Sequence, residues 1–515
     1  MSFVPMMQYA ARKSAQQMVS FAGLQYGRGG SDGEFSQTKN LSTRQYPALS
    51  QRMGRMEEET HSAATALFSK EKLLVVDGTD VLFDGDKVGE VTAGEKMICS
   101  VNSKIVIFPD KKYYDTETGI FGDMAVTLTA AASSVTWSSN TLKITGQGDL
   151  SEKFAAGQAI EISGSSISGN NKSIVIRTVS SDTMTFSANA FQAQGESGTV
   201  KVERKVPDLT CICESANRLW GAEGKTIWAS AQGDPLTFYN YDGLATDSFA
   251  VAVGTDGDFT GCMGYSSNVL FFKENAMHKV LGSMPSEYRV YDSTVPGVQK
   301  GSQKSLVVIN ETLYYKGVSG IYAFAGSAPI LVTENFGTRR FINARGGTDG
   351  VRYYVSMQEQ DAAGEGGDWD LFVLDTENGI WLREDDAHIL DFARQDAVLH
   401  ALAADGTVYL LDQETDEQIS WEAEFYPFDE TTYGKRGYSK LWLKLELAQG
   451  AWVQAEIAQD MGSFRRVGSW RERKQESILV PLFPGRCDTF RLRLSGEGPC
   501  VIKSLVREFI VKSTK

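Results

Sequence analysis

Apolar and polar positions alternate along most of this chain in short runs, the period of half-buried β-strands. The most regular feature is a recurring strand–turn–strand unit. Asn217-Arg-Leu-Trp220 leads through a glycine turn to Thr226-Ile-Trp228, and Asn268-Val-Leu-Phe271 leads to Met277-His-Lys-Val280. Asn310-Glu-Thr-Leu-Tyr314 leads to Ile321-Tyr-Ala-Phe324, Val351-Arg-Tyr-Tyr354 to Leu371-Phe-Val-Leu374, and Ala397-Val-Leu-His400 to Val408-Tyr-Leu-Leu411. The anchors Trp220, Phe271, Tyr314, Tyr354 and His400 are spaced 51, 43, 40 and 46 residues apart. Short aromatic strands recurring at that interval predict the blades of a β-propeller, because one small sheet cannot bury both of its faces alone. Lys72–Val76 and Lys104–Phe108 extend the pattern upstream, so 67–120 and 204–420 are expected to hold six or seven blades. Two ordinary β-sandwiches would produce a similar recurrence of strands.

Three segments depart from the repeat. Residues 121–203 are poor in aromatics and rich in Ser, Thr, Ala and Gly, yet Thr141–Ile144, Ala159–Ile162 and Met184–Phe186 still alternate. This predicts an inserted small β-barrel or sandwich rather than a linker. Residues 421–515 alternate cleanly at Leu441, Leu443, Leu445 and Leu447 and at Phe490, Leu492 and Leu494, as expected of a C-terminal β-sandwich. Residues 1–66 lack such alternation. MMQYAARKSAQQMVSF reads as a short helix, and the glycine-rich run to Gly33 as an arm that orders on a partner. The arm carries Arg12, Lys13, Arg28, Arg44, Arg52 and Arg55, so it is expected to dock on an acidic neighbouring surface. Its removal is expected to spare the rest of the fold.

Composition supports the all-β reading. The 515 residues include 50 glycines and 12 prolines, a balance suited to many tight turns. The net charge of −14 argues against a protein that grips nucleic acid through its phosphates, though not against one that lets DNA pass. No stretch approaches the roughly 20 apolar residues of a membrane-spanning helix, and the N-terminus shows no export signal. The six cysteines, Cys99, Cys211, Cys213, Cys262, Cys487 and Cys500, lack zinc spacing and read as reduced core residues.

Candidate chemistry is sparse. Gly224-Lys225-Thr226 matches the end of a phosphate-binding loop, but Leu219 stands where its first glycine belongs. Asp77-Gly-Thr79 and Asp405-Gly-Thr407 fit turns. His61, His278, His388 and His400 show no metal spacing. No catalytic set, cofactor site or metal site is therefore assigned, and the chain reads as a non-enzyme. Paired carboxylates for glycoside hydrolysis meet only in a fold and leave no mark in sequence.

Several segments resemble a known family. Trp228-Ala-Ser-Ala-Gln-Gly-Asp-Pro-Leu-Thr-Phe238, Val269–Lys273, Val295-Pro-Gly-Val298 and Gly317-Val-Ser-Gly-Ile-Tyr322 resemble the propeller region of the tail nozzle (tail tubular protein B) family of short-tailed bacteriophages. Ile478–Leu482, Gly485-Arg486, Phe490–Leu494 and Gly496-Glu-Gly498 resemble that family's last domain, and Asn40–Arg44 with Tyr46-Pro47 its head-end arm. The resemblance implies a virion structural protein, assembled in the bacterial host cytoplasm as a homohexameric ring below the portal and adaptor. Such a ring passes double-stranded DNA without reading its sequence and without contacting a membrane. The alternative is a receptor- or carbohydrate-binding propeller of a phage tail, glycan-degrading or not.

A conduit that retains DNA needs a constriction formed by movable loops. The polar stretch Gln358–Asp368, with Glu359, Asp361, Glu365 and Asp368 among Ala and Gly, is the expected gate, and 428–437 is a second candidate.

Overall fold

The computed structural model describes residues 12–361, 363–429, 435–471, 476–482 and 485–511. These are β-strands joined by turns and short 3-10 segments, with no α-helix among them. They form two compact units, one of residues 61–318 and 324–329, the other of the described residues in 1–60, 319–323 and 330–515.

Seven four-stranded sheets follow one another along the chain. Sheet I holds Ala64–Lys70, Lys72–Asp77, Asp80–Phe83 and Asp86–Glu90, and sheet II holds Met97–Val101, Lys104–Phe108, Lys112–Asp115 and Phe121–Asp123. Sheet III comprises Cys211–Ser215, Arg218–Glu223, Thr226–Ala229 and Phe249–Ala252; sheet IV comprises Gly261–Tyr265, Asn268–Lys273, Ala276–Leu281 and Arg289–Ser293. Sheet V holds Val307–Ile309, Thr312–Lys316, Ile321–Phe324 and Ile330–Leu331. Sheet VI holds Phe341–Thr348, Arg352–Gln360, Gly366–Asp375 and Ile380–Asp385. Sheet VII is built differently: Ile389–Gln395, Val398–Ala403 and Thr407–Gln413 are joined by Gly54–Thr60 from far upstream.

Every aromatic or histidine anchor of the sequence repeat lies in the second strand of its sheet, from Trp220 in sheet III to His400 in sheet VII. The reason is visible in Lys104–Phe108. Successive strand residues point to opposite faces, and here Ile105 and Ile107 join a core shared with sheet I while Val106 and Phe108 join one shared with sheet III. Leu219 and Trp220 divide in the same way between the sheet II–III core and the sheet III–IV core. In sheets II and III the second strand is thus apolar on both faces because a neighbouring sheet covers each. The first strands of sheets I to IV lie in series against one another, as do those of sheets VI and VII within the other unit.

The segment between sheets II and III is a unit with its own core. Val126–Ala130, Val200–Arg204, Ala159–Ser163 and Lys172–Val175 form one sheet, and Val135–Trp137, Thr141–Ile144, Thr183–Thr185 and Thr178–Val179 the other. Leu128, Trp137, Ile160, Phe191 and Val202 meet between them. The insertion begins later than residue 121, since Phe121–Asp123 is still the outer strand of sheet II. Arg204 clamps its root: Nε donates to the Met124 carbonyl at 2.8 Å and Nη2 to the Asp123 carbonyl at 2.9 Å. Its Nη1 donates to the Lys153 carbonyl at 3.0 Å and to Gln158 Oε1 at 2.8 Å.

The terminal sandwich corrects the expected N-terminal arm and the boundary at 421. Its two six-stranded sheets are completed by five strands from the N-terminal segment. Arg12–Met18 pairs with Cys500–Val511, Leu49–Gln51 with the same strand, and Glu34–Lys39 with Ser420–Phe425. Leu41–Ser42 and Gly23–Leu24 complete the set. Residues 12–18 are therefore extended, not helical; residues 1–11 lie outside the described residues. Alternation failed here because each strand contributes only one or two large apolar residues. Phe35 is fully buried, but its strand-mate Thr38 is a buried polar group, donating to the Arg383 carbonyl at 3.1 Å and accepting from the Arg383 N–H at 2.9 Å.

Phe35 packs against Phe425 with ring centroids 4.9 Å apart and against Phe21 at 5.9 Å. Phe35→Ala is expected to cost about 3–5 kcal/mol, read as a lowered denaturation midpoint. Deleting residues 1–51 should leave the sandwich unfolded and sensitive to limited proteolysis, because Leu41, Leu49 and Phe35 leave its core together.

Candidate functional site

Sheet VI and the N-terminal segment together form an open cleft of about 760 Å³. The second, third and fourth strands of sheet VI place Glu359, Asp370 and Arg383 side by side, and Arg339 enters just before the first strand. Arg339 forks onto Glu359, with Nε donating to Oε1 at 2.7 Å and Nη2 to Oε2 at 2.6 Å, and its Nη2 lies 3.5 Å from Asp370 Oδ2. Arg383 Nε donates to Asp370 Oδ1 at 2.5 Å. Both oxygens of both carboxylates are thus held by guanidinium groups. The Arg339 hydrogen bond keeps the Glu359 carboxyl below the usual range. Burial pushes the Asp370 carboxyl up, against the pull of Arg383 and Arg339.

The rest of the cleft is aromatic and polar. The Arg339 guanidinium also lies over the Tyr26 ring, 4.4 Å from its centroid, and burial pushes the Tyr26 hydroxyl up to about 12. Trp369 stacks face to face on His388, centroids 3.7 Å apart and planes 12° from parallel. Burial, with Arg345 nearby, lowers His388 from its ordinary value. Asp368, Asp386 and Gln37 are exposed at the cleft.

The expected gate loop is mostly strand. Arg352–Gln360 and Gly366–Asp375 pair as one long hairpin connected through 361–365, of which Ala362 lies outside the described residues. Asp361 closes that connection, its Oδ1 accepting from the Ala363 and Glu365 N–H groups at 2.9 and 2.8 Å. Glu359 is occupied by Arg339, which leaves Glu365 and Asp368 exposed. The ladder ends at the Gln360–Gly366 pair, so of the expected loop 361–365 lies outside it. In the second candidate, 430–434 lie outside the described residues, while Arg436 and Tyr438 are buried in the strand Arg436–Leu447.

The basic residues assigned to docking divide in the same manner. Arg55 reaches Glu384 at 2.8 Å and Asp385 at 2.7 Å, and Arg52 flanks the same pair at 4.0 and 3.8 Å. Arg52 also donates to Asn40 Oδ1 at 2.8 Å. Arg44 pairs with Asp412 and lies 3.8 Å from Asp349. The acidic surface that these arginines meet belongs to their own chain. Lys13 and Arg28 are exposed, and nothing is described of the Arg12 side chain.

Other sequence readings fall in ordinary places. Gly224, at φ +56°, makes the hairpin turn before Thr226–Ala229, with no phosphate loop around it. All six cysteines are free and buried, and burial raises the Cys487 thiol to about 11. Among the described residues no group of His, Cys, Asp and Glu gathers as metal ligands. Sequence reasoning missed Tyr26, Arg339, Trp369, Asp370, Arg383 and His388 as one site. Its sole local signal was Trp369, a lone aromatic in a run of Gly, Ala and acids.

No family profile matches the chain, and no curated protein matches it in sequence. Among solved structures, the phage phi92 endosialidase is 10% identical, with 88% of this chain and 74% of that one covered at a TM-score of 0.26. An exo-β-1,3-galactanase from Phanerochaete chrysosporium is 7% identical, covering 57% of this chain and 94% of its own at 0.24. Hsv2 of Kluyvelomyces marxianus is 12% identical, covering 44% and 82% at 0.28. At these identities and scores the likeness carries no functional inference.

Two contrasts test the charge network. Arg55→Ala leaves Glu384 and Asp385 buried without their closest cation and should cost about 3–5 kcal/mol. Arg44→Ala, at a partly exposed pair, should cost no more than about 1 kcal/mol in the same denaturant titration. Because its folded pKa is depressed, Glu359 contributes stability that is present above about pH 4.3, the ordinary glutamate value. That contribution is lost as pH falls through the lower folded value, so Glu359→Gln should flatten the acid limb of the stability–pH curve.

Proposed function

We propose that this chain is a structural subunit of a phage tail nozzle, a homohexameric ring that forms and gates the DNA exit channel below the portal and adaptor. The observation that carries the reading is the completion of sheet VII by Gly54–Thr60, the strand that immediately precedes sheet I in sequence. An early strand that finishes the last sheet is the means by which a propeller closes its ring, and on this reading the seven sheets are seven blades. Two of the segments that resemble the nozzle family lie in the repeating sheets. Val269–Lys273 lies in the second strand of sheet IV, and Trp228 in the third strand of sheet III. In the turn that follows Trp228, Asp234 accepts from the Leu236 N–H at 3.0 Å and the Thr237 hydroxyl at 2.7 Å, which holds Leu236 and Phe238 in the core.

The protein acts by assembly rather than bond chemistry. A glycosidase needs one carboxyl free to give a proton to a leaving oxygen and another free to assist. Glu359 and Asp370, the paired carboxylates of the cleft, have their oxygens committed to Arg339 and Arg383. The net charge of −14 suits a conduit that must release DNA, since an acidic lining repels phosphate.

Imaging of the purified full-length chain by electron microscopy is expected to reveal six-membered rings with a continuous axial channel. The same density should appear below the portal in particles. A protein that stays monomeric at high concentration and is missing from particles would overturn the reading.

A further inference from the structure

We propose that the cleft of sheet VI is a binding site for neutral oligosaccharides, which it holds without cleaving. The inference does not depend on the nozzle reading.

A volume of about 760 Å³ falls within the range of small-ligand sites. Trp369 and His388 both line the cleft and lie flat against one another, so each restrains the other as an aromatic plane. A sugar ring has an apolar face of C–H groups that packs on such a plane, and hydroxyls around its rim that both donate and accept. The walls are rigid before any ligand arrives, because Arg339 is forked on Glu359 and Arg383 is bonded to Asp370. Rigid walls spare a ligand the entropy of ordering side chains.

Charge selects the ligand class. The cleft is lined by four carboxylates, Glu359, Asp368, Asp370 and Asp386, against two guanidiniums, Arg339 and Arg383. Two of each sign neutralise one another, which leaves Asp368 and Asp386 in excess. These exposed carboxylates and the Gln37 amide are planar groups suited to pairs of adjacent hydroxyls. The excess negative charge disfavours phosphate, uronate and sialate. The Arg339 guanidinium already lies over Tyr26, so Trp369 is the aromatic plane left for a sugar or a cation, and hexalysine as a separate probe distinguishes the two.

The full-length chain would be applied to a glycan array carrying neutral hexose chains, N-acetylhexosamine chains and sialylated chains, with hexalysine as a separate probe. Hits would be confirmed by saturation-transfer NMR. Neutral chains should bind and sialylated chains should not. Trp369→Ala should weaken binding at least tenfold. Asp368→Asn, an exposed change that leaves the fold intact, should also weaken it, whereas Trp442→Ala on the sandwich should not. The proposal fails if no neutral chain binds, if hexalysine or sialylated chains alone bind, or if neither cleft substitution alters the affinity. Release of reducing sugar on prolonged incubation would overturn the claim that the cleft holds without cleaving.

Discussion

A sheet of four short strands has two faces, and a strand such as Lys104–Phe108 is apolar on both. Left alone, it would expose one set of these side chains to water, at about 25 cal/mol for each Å² uncovered. The remedy is to stack sheet after sheet, so that each core is shared by two neighbours. Other features follow from this need. The first strands of sheets I to IV lie together, as do those of sheets VI and VII, and the repeat is strongest in the second strand. Third and fourth strands, with a wetter face, carry a weaker pattern, as the exposed Arg289–Ser293 illustrates.

The N-terminal segment solves a different problem. Its strands are too short and polar to form a core, so they gain stability by pairing with long strands already fixed by the C-terminal alternation. The arginines of this segment then satisfy carboxylates that sheet VI would otherwise bury unpaired. A buried ion pair of this kind need not add net stability, because desolvation offsets the attraction. Its value is specificity: Glu384 and Asp385 accept only a segment that brings cations to that position, which sets where Gly54–Thr60 enters sheet VII.

The cleft beside that junction is built on the same economy of charge. Arg339 and Arg383 are engaged by carboxylates and an aromatic ring, so they shape the walls rather than attract anions. The cleft also holds Trp369 stacked on His388 and the exposed side chains of Asp368, Asp386 and Gln37.

The local pattern was enough to determine an all-β chain, the second strand of each repeating sheet, strands within 121–203 and the buried, free cysteines. Those properties depend on alternation over a few residues, which burial on one or two faces writes directly into composition. Tertiary structure decided the remainder. Nothing local marks Arg12–Met18 or Glu34–Lys39 as strands, because their partners lie more than 380 residues away and supply most of the apolar surface. The supposed loop at Gln358–Asp368 is a hairpin because backbone pairing outweighs a polar, glycine-rich composition. Arg44, Arg52 and Arg55 read as free charges until the fold brought Asp412, Glu384 and Asp385 to them. The cleft gathers Tyr26, Arg339, Trp369 and His388 from separate strands and turns, a proximity that only a folded backbone can create.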